Sequence, residues 1–217
     1  PKILAGKKVL ITTGATFEAI DPVRGITNIS SGQMGTALAR ACRAAGAEVT
    51  LIYGQIQTAL PPGMAENVHA LSAQAMHEAV HHRIHTQDIF ISVAAIADYK
   101  VRNSSTQKLK KSSNNTPPVI ELAENPDILA SVAALPDAPF CIGFAAESHN
   151  VLEHARAKRL KKSIPMLVAN EVSIAMGSSR NQVTIIDAYG DTPLPEMSKH
   201  DTAAAIVQHL STLLHQA

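Results

Sequence analysis

The run from Gly14-Ala15-Thr16 to Asn28-Ile29-Ser30-Ser31-Gly32-Gln33-Met34-Gly35 decides how the chain reads. Ahead of it, Lys7-Lys8-Val9-Leu10-Ile11-Thr12-Thr13 is a short β-rich run; behind it, residues 34–45 are rich in Ala and Leu and free of Pro, as a helix requires. The run is therefore a strand-to-helix turn. In a doubly wound α/β sheet such a turn lies at the carboxyl edge of the strands, where ligands bind and helix N-terminal N–H groups face anions. Glycine there lets the backbone approach a phosphate closely. The usual dinucleotide turn keeps its glycines within about six residues. Gly32 follows Gly14 by eighteen positions, which weakens a plain NAD reading. An architectural reading stands beside it, in which Ser30 or Ser31 caps the helix and the glycines only shape the turn.

Outward from this turn the pattern alternates strand and helix. Ala47-Glu48-Val49-Thr50-Leu51-Ile52-Tyr53 is a second strand between Gly46 and Gly54, which completes a βαβ unit. A short strand near Val68-His69-Ala70 and a helix over 72–85 follow. Asp88-Ile89-Phe90-Ile91-Ser92-Val93-Ala94-Ala95 then reads as a central parallel strand, being apolar almost throughout. Residues 103–118, polar and carrying Lys108, Lys110 and Lys111, read as a mobile loop, either decoration or a lid. Asn125-Pro126-Asp127 is expected to open a helix with Asn125 as its cap and Pro126 in its first position. Phe140-Cys141-Ile142-Gly143-Phe144 and Met166-Leu167-Val168-Ala169 are further strands, with a basic helix from about 150 between them. A hairpin over 182–187 turning at Gly190-Asp191, then a helix over 199–215, close the chain. The expectation is a Rossmann-like doubly wound, mainly parallel sheet with helices on both faces and a C-terminal hairpin, forming a single nucleotide-binding α/β domain over 1–217.

Composition narrows the function classes. The 217 residues suffice for one well-buried core. Apolar residues make up 46%, charged residues 17%, and the formal net charge is +1, which suits neither disorder nor a polyanion-binding surface. With only 3% aromatic residues and no basic stripe, nucleic-acid binding by base stacking is set aside. Cys42 and Cys141 read as small buried hydrophobes, which fits a reducing cytoplasm. No secretory leader and no apolar run of membrane-spanning length is found, so neither secretion nor membrane insertion is expected. A start at Pro1 suggests a processed or excised chain.

His77-Glu78-Ala79-Val80-His81 fits the H-E-x-x-H pattern of zinc peptidases. No third ligand follows at the metzincin spacing, and His82 and His85 make the histidines look scattered along a solvated helix face. A zinc metallopeptidase is thus the weaker alternative. A short-chain reductase would need Tyr-x-x-x-Lys, whereas Tyr99 is followed at that spacing by Asn103. An NAD(P)- or nucleotide-binding sensor of the same fold stays open.

The strand ends should gather Gly14, residues 94–98, Phe144 and Asn170 along one edge, joined by the helix start near Asn125 and the lysine loop. Asp98 could take ribose hydroxyls or serve as a surface acid. Lys158 and Lys162, four apart on one helix face, could close on a triphosphate or simply complement the helix C-terminus. Residue chemistry alone leads to a nucleotide-using α/β enzyme.

Six blocks in order add a resemblance. Asp21-Pro22-Val23-Arg24, Asn28-Ile29-Ser30-Ser31-Gly32-Gln33-Met34-Gly35, Ala94-Ala95-Ile96-Ala97-Asp98-Tyr99, Lys108-Leu109-Lys110-Lys111, Asn125-Pro126-Asp127-Ile128 and Gly143-Phe144-Ala145-Ala146-Glu147 together resemble bacterial phosphopantothenoylcysteine synthetase. This family is the phosphopantothenate–cysteine ligase of coenzyme A biosynthesis. The similarity runs from about residue 7 to 170. It implies that CTP activates the carboxylate of 4′-phosphopantothenate as an acyl-cytidylate with release of pyrophosphate, and that the amine of cysteine then displaces CMP. It implies catalytic roles for Asn28, in the second step, and for Lys108, which neutralises the triphosphate together with Mg2+ in the first. It further implies CTP binding by Ala94, Asp98, Lys108, Pro126, Asp127, Ile128, Leu129, Phe144, Lys158 and Lys162, and phosphopantothenate binding by Gly14, Arg24, Asn28 and Ala95. Gln33 departs from the family's pattern, in which Lys stands there. A cytoplasmic homodimer, with the substrate site completed near the subunit interface, and a fused or associated flavin-dependent decarboxylase are also implied.

Overall fold

The computed structural model describes residues 2–111, 116–147, 150–171 and 180–216. Its elements are β1 (Lys8–Thr13), β2 (Phe17–Asp21), β3 (Arg24–Thr27), α1 (Gln33–Ala44), β4 (Glu48–Tyr53), β5 (Glu66–His69) and α2 (Ala73–His81) in the first part. They continue with β6 (Ile89–Ser92), β7 (Tyr99–Val101), β8 (Leu122–Glu124), α3 (Ile128–Ala133), β9 (Phe140–Glu147) and α4 (Val151–Lys161). The last are β10 (Met166–Glu171), β11 (Arg180–Asn181), β12 (Val183–Asp187), β13 (Gly190–Pro193), β14 (Met197–Ser198) and α5 (Lys199–Gln216).

Eight strands form one sheet in the order β13-β12-β10-β9-β6-β1-β4-β5. The six from β10 to β5 pair in parallel; β12 and β13 add an antiparallel edge, which is the expected C-terminal hairpin. Ordered along the chain, the parallel strands run 3-2-1-4-5-6, so the fold is Rossmann-like, with its switch point between β1 and β6. Successive strand residues point to opposite faces. Val9, Ile11, Ile89, Ile91 and Val168 meet α1 and α5 on one face. Leu10, Phe90, Cys141 and Leu167 meet α2, α3 and α4 on the other. Both faces are thus covered, as near-continuous apolar strands demand.

Several local expectations change. The long turn after β1 contains an antiparallel hairpin, β2 with β3, ahead of the run to α1. The cap position of α1 is Gly32, in the left-handed region at φ 73, and not either serine; Ser31, one residue before it, accepts only a long 3.4 Å bond from Gln33 N. The second helix stops at His81, and residues 84–86 form a separate 3-10 turn. The central strand β6 ends at Ser92, three residues short of the expected end, because the chain beyond turns to bond with the first turn: Ala95 N donates to Gly14 O at 2.8 Å and Thr16 N to Ala95 O at 3.2 Å. The polar loop is the extension of a second ribbon, β7 with β8. Its residues 112–115 lie outside the described part.

Gly14 explains how the first turn closes. It sits at φ +80, and a Cβ there would lie 2.4 Å from the carbonyl oxygen of Gln55. Only glycine fits both the backbone angle and the approach. The same contact lets Ala15 N donate to Gln55 O at 2.9 Å, which seats the turn on the end of β4.

Candidate functional site

A cleft of about 210 Å³ opens over the carboxyl ends of β6 and β9. Its floor is Ser92-Val93-Ala94 at the end of β6; one wall is Ile96-Ala97-Asp98, and the opposite wall is Asn125 to Leu129. Phe144 of β9 and Lys158 and Lys162 of α4 close the far side. The segments come together for identifiable reasons. Thr16 Oγ1 accepts from Ala97 N at 3.0 Å, which anchors the first wall to the opening turn. The Asn125 amide donates to Ala97 O at 2.8 Å, and its backbone N–H donates to Asp98 O at 2.8 Å, so the two walls are held at a fixed spacing.

Those two bonds also explain a correction. Asn125 is not the helix cap: its Nδ2 is bonded to the neighbouring wall, and its Oδ1, the atom a cap would use, is buried with no hydrogen-bond partner among the described residues. Asp127 caps α3 instead: its extended backbone (φ −81, ψ 98) aims the carboxylate at Ala130 N, 3.0 Å away. Pro126 consequently lies outside the helix, and Ile128 and Leu129 begin it, buried beneath the cleft.

Asp127 and Lys162 form the polar centre of the far side. The Lys162 ammonium is 2.8 Å from Asp127 Oδ2. Although desolvation opposes it, the carboxyl is held below its ordinary value by the Lys162 bond, the Ala130 N–H and the charge of Lys158. Lys158 reaches back toward the Phe144 carbonyl at 3.5 Å. Both lysines therefore face the cleft, and not only the end of their own helix. The cleft joins two ammonium groups, a helix start and an exposed acid, Asp98, a set suited to a phosphorylated ligand with hydroxyls.

Of the residues expected at CTP, the cleft lining contains all except Lys108. Lys108 is exposed, and its neighbour explains where its segment goes. Leu109 N donates to Asp21 Oδ2 at 3.0 Å, and Arg24 Nη2 donates to Leu109 O at 2.8 Å. Ser105 N adds a bond to Ile20 O at 2.9 Å. The lysine segment is thus docked along the β2–β3 hairpin. Asp21 is buried and takes four more donors, Val23 N, Arg24 N, and Arg24 Nε and Nη2, the last at 2.5 Å. The Arg24 guanidinium, chief among them, holds this carboxyl far below the usual carboxylate range against the desolvation that works to raise it.

Gly14 and Ala95 lie together at the switch point, joined by the 2.8 Å bond between them. Asn28 is exposed at the end of β3, on the stretch leading to Ser30 and Ser31. Asn170 of β10 is absent from the cleft lining. Asn125 is the wall residue that sequence reasoning took for a cap; its position two before another Asx residue was the available signal. Asp21 is a further residue that its motif alone assigns no role; Asp at the first position of an Asp-Pro turn is its signal.

Elsewhere, His81 Nε2 lies 2.8 Å from Ser131 Oγ, a structural tie between α2 and α3. Burial first, then the neighbouring charges of His77 and His85, lowers its pKa. Among the described residues no group of three or more His, Cys, Asp or Glu is placed to hold a metal. The two buried thiols are pushed up to about 12 by burial.

The model of the DNA/pantothenate metabolism flavoprotein C-terminal domain family matches residues 4–214. The coenzyme A biosynthesis bifunctional protein CoaBC of Vibrio cholerae serotype O1 is 47% identical over 214 residues, 97% of this chain and 53% of that protein. The protein of the same name from Escherichia coli K12 is 41% identical over 192 residues, 86% of this chain and 47% of that one. The chain spans about half the length of the curated relatives it matches. Among solved structures, the C-terminal domain of a CoaBC protein superposes with a TM-score of 0.86 at 36% identity and covers 100% of both chains. A Cab2 variant in complex with phosphopantothenate-cysteine shares the fold, at a TM-score of 0.74 and 17% identity over 97% of this chain and 88% of that one.

Proposed function

The chain belongs to the DNA/pantothenate metabolism flavoprotein C-terminal domain family, and on that premise we propose that it is a ligase of coenzyme A biosynthesis joining 4′-phosphopantothenate to cysteine. CTP is the activating nucleotide. The observation that carries the reading is the convergence of Ala94, Asp98, residues 126–129, Phe144, Lys158 and Lys162, drawn from distant parts of the chain, on one cleft at the strand ends.

The chemistry divides in two. A carboxylate oxygen of phosphopantothenate attacks the α-phosphorus of CTP, and pyrophosphate leaves. The amine of cysteine then attacks the acyl carbon, loses a proton, and expels CMP. In the first step Lys158 and Lys162 draw the triphosphate into the cleft, Asp98 takes the ribose, and Lys108 neutralises developing charge on the leaving phosphates. Magnesium, carried on the triphosphate, would supply further charge neutralisation there; among the described residues no group of three or more His, Cys, Asp or Glu is placed to hold it without the nucleotide. In the second step the Asn28 amide donates to the acyl-phosphate oxygen, while Arg24, Gly14 and Ala95 hold the phosphopantothenate.

The working unit is a cytoplasmic homodimer. Two ribbons beside the site, with the segment leading into β8, expose Val23, Tyr99, Val119, Ile120 and Leu122, apolar side chains that a second copy would cover. No helix among the described residues is long and apolar enough to cross a membrane. The bifunctional relatives support fusion to, or association with, a flavin-dependent decarboxylase that consumes the product. The test is pyrophosphate release. It is expected only when CTP and phosphopantothenate are both present; binding of CTP without release would make the protein a nucleotide sensor instead.

A further inference from the structure

Asp21 and Arg24 hold the backbone of one residue, Leu109, at both its N–H and its carbonyl. Asp21 Oδ2 accepts the Leu109 N–H at 3.0 Å, and Arg24 Nη2 donates to the Leu109 carbonyl at 2.8 Å. The gripped residue is the immediate neighbour of Lys108, eighty-eight positions along the chain from Asp21. The acid has no freedom to do anything else: its side chain is 0% exposed, and Val23 N, Arg24 N and the Arg24 guanidinium fill its remaining acceptor positions. The guanidinium, by contrast, is half exposed, and its Nη1 has no bond among the described residues.

The proposed ligase assigns Lys108 a role on the triphosphate, yet Lys108 sits on an exposed segment outside the cleft lining. An exposed lysine on a long loop loses much rotational and translational freedom when it engages a ligand. A fixed root shortens the stretch that must be ordered. We propose that the Asp21–Arg24 pair is a clasp that fixes the root of the Lys108 segment, with Asp21 a positioning residue for the nucleotide-activation step. The clasp also joins the two half-sites. One edge of the Arg24 guanidinium is locked onto Asp21 and Leu109, and the other edge is open to the anionic acid substrate. This inference rests on the proposed function for the roles of Lys108 and of the open edge of Arg24. The clasp itself does not.

Two independent readouts test it on the full chain. The first is amide hydrogen exchange without any ligand. In Asp21→Asn, the peptide spanning 105–111 is expected to exchange at least about tenfold faster, since a charged acceptor is replaced by a group that presents a donor to the Leu109 N–H. Exchange in the β1 strand should stay at its wild-type rate. Unchanged exchange at 105–111 overturns the clasp whatever the enzyme does. The second readout is kinetic. Asp21→Asn should lower kcat for pyrophosphate release about tenfold or more with the KM for CTP within about threefold, and should cost little further when combined with Lys108→Ala. Full additivity of the two substitutions overturns the positioning role. Should Asp21→Asn prove unfolded, Leu109→Pro decides: it removes the same N–H from an exposed position and leaves the acid intact. Release within twofold of wild type in Leu109→Pro overturns the proposal. Absence of release from the wild-type protein sinks the ligase reading and leaves the exchange result standing.

Discussion

Lys162→Met separates the structural role of the far-side lysine from its role toward nucleotide. Met keeps most of the aliphatic stem and deletes only the ammonium. The structural loss should be small. The ammonium pairs with Asp127 at 2.8 Å, but the Asp127 side chain is 51% exposed, and an ion pair that open to solvent contributes at most about 1 kcal/mol. The Asp127 cap on Ala130 N survives, so α3 keeps its start. For a chain of this length that is a fall in Tm of roughly 2–4 °C. The binding loss should be larger. The Lys162 side chain is only 18% exposed, so a phosphate that meets it is partly desolvated. Losing a charge-assisted bond of about 1.5–3 kcal/mol weakens binding by roughly 10- to 150-fold. Calorimetric titration with CTP and with cytidine supplies the contrast: CTP should weaken by that factor, and cytidine, which has no phosphate, should not change. Equal weakening of both ligands would mean that Lys162 only supports the wall. CTP affinity within about threefold of wild type would remove it from the phosphate site altogether.

Three further outcomes are expected. Asn28→Asp keeps the side-chain volume but replaces the donor with a charge; it should still release one equivalent of pyrophosphate and accumulate the acyl-cytidylate, visible by mass spectrometry, while forming little product with cysteine. Gly35→Ala would set a Cβ 2.1 Å from Thr13 Oγ1 and 2.4 Å from Thr13 Cβ, so overpacking of about 1–3 kcal/mol should outweigh a gain in helix propensity of up to about 1 kcal/mol, and the urea midpoint should fall. An unchanged or raised midpoint would refute that close helix–strand contact. Because the folded-state pKa of Asp21 is depressed, its contribution is present above the ordinary carboxylate value of 3.8 and is lost only as pH falls through the depressed one; protection of 105–111 should therefore hold flat from about pH 8 to about pH 4, and a loss of protection near pH 5 would contradict the Arg24 pairing.

What sequence could and could not supply follows from the range of the interactions. The inner parallel strands were legible because they are near-continuous apolar runs, such as Ile89-Phe90-Ile91, and burial on both faces leaves that mark locally; the edge strand β5, Glu66-Asn67-Val68-His69, is polar and carries it only at Val68. The β2–β3 hairpin was hidden inside a stretch read as one turn. Its signal was Asp21-Pro22-Val23-Arg24, with Asp first and Pro second as a type I turn prefers, but Gly25 and the short strands beside it mask any alternation. The choice between Asn125 and Asp127 as the cap of α3 could not be made locally, since both residue types cap well and Pro126 fits before either. The Ala97 carbonyl, twenty-eight residues away, holds the Asn125 amide group against the neighbouring wall, so its Oδ1 meets no helix N–H and the cap falls to Asp127. Lys108 shows the same limit in sharper form. Its motif places it with the nucleotide residues, yet its position is governed by a buried acid that no pattern around residue 108 reveals. A positively charged group that must reach a triphosphate gains from being tethered one residue away, where the bond restrains the backbone without drawing the ammonium into a competing ion pair. Had Asp21 met Lys108 directly, the carboxylate would compete with the phosphates for the charge that activation needs.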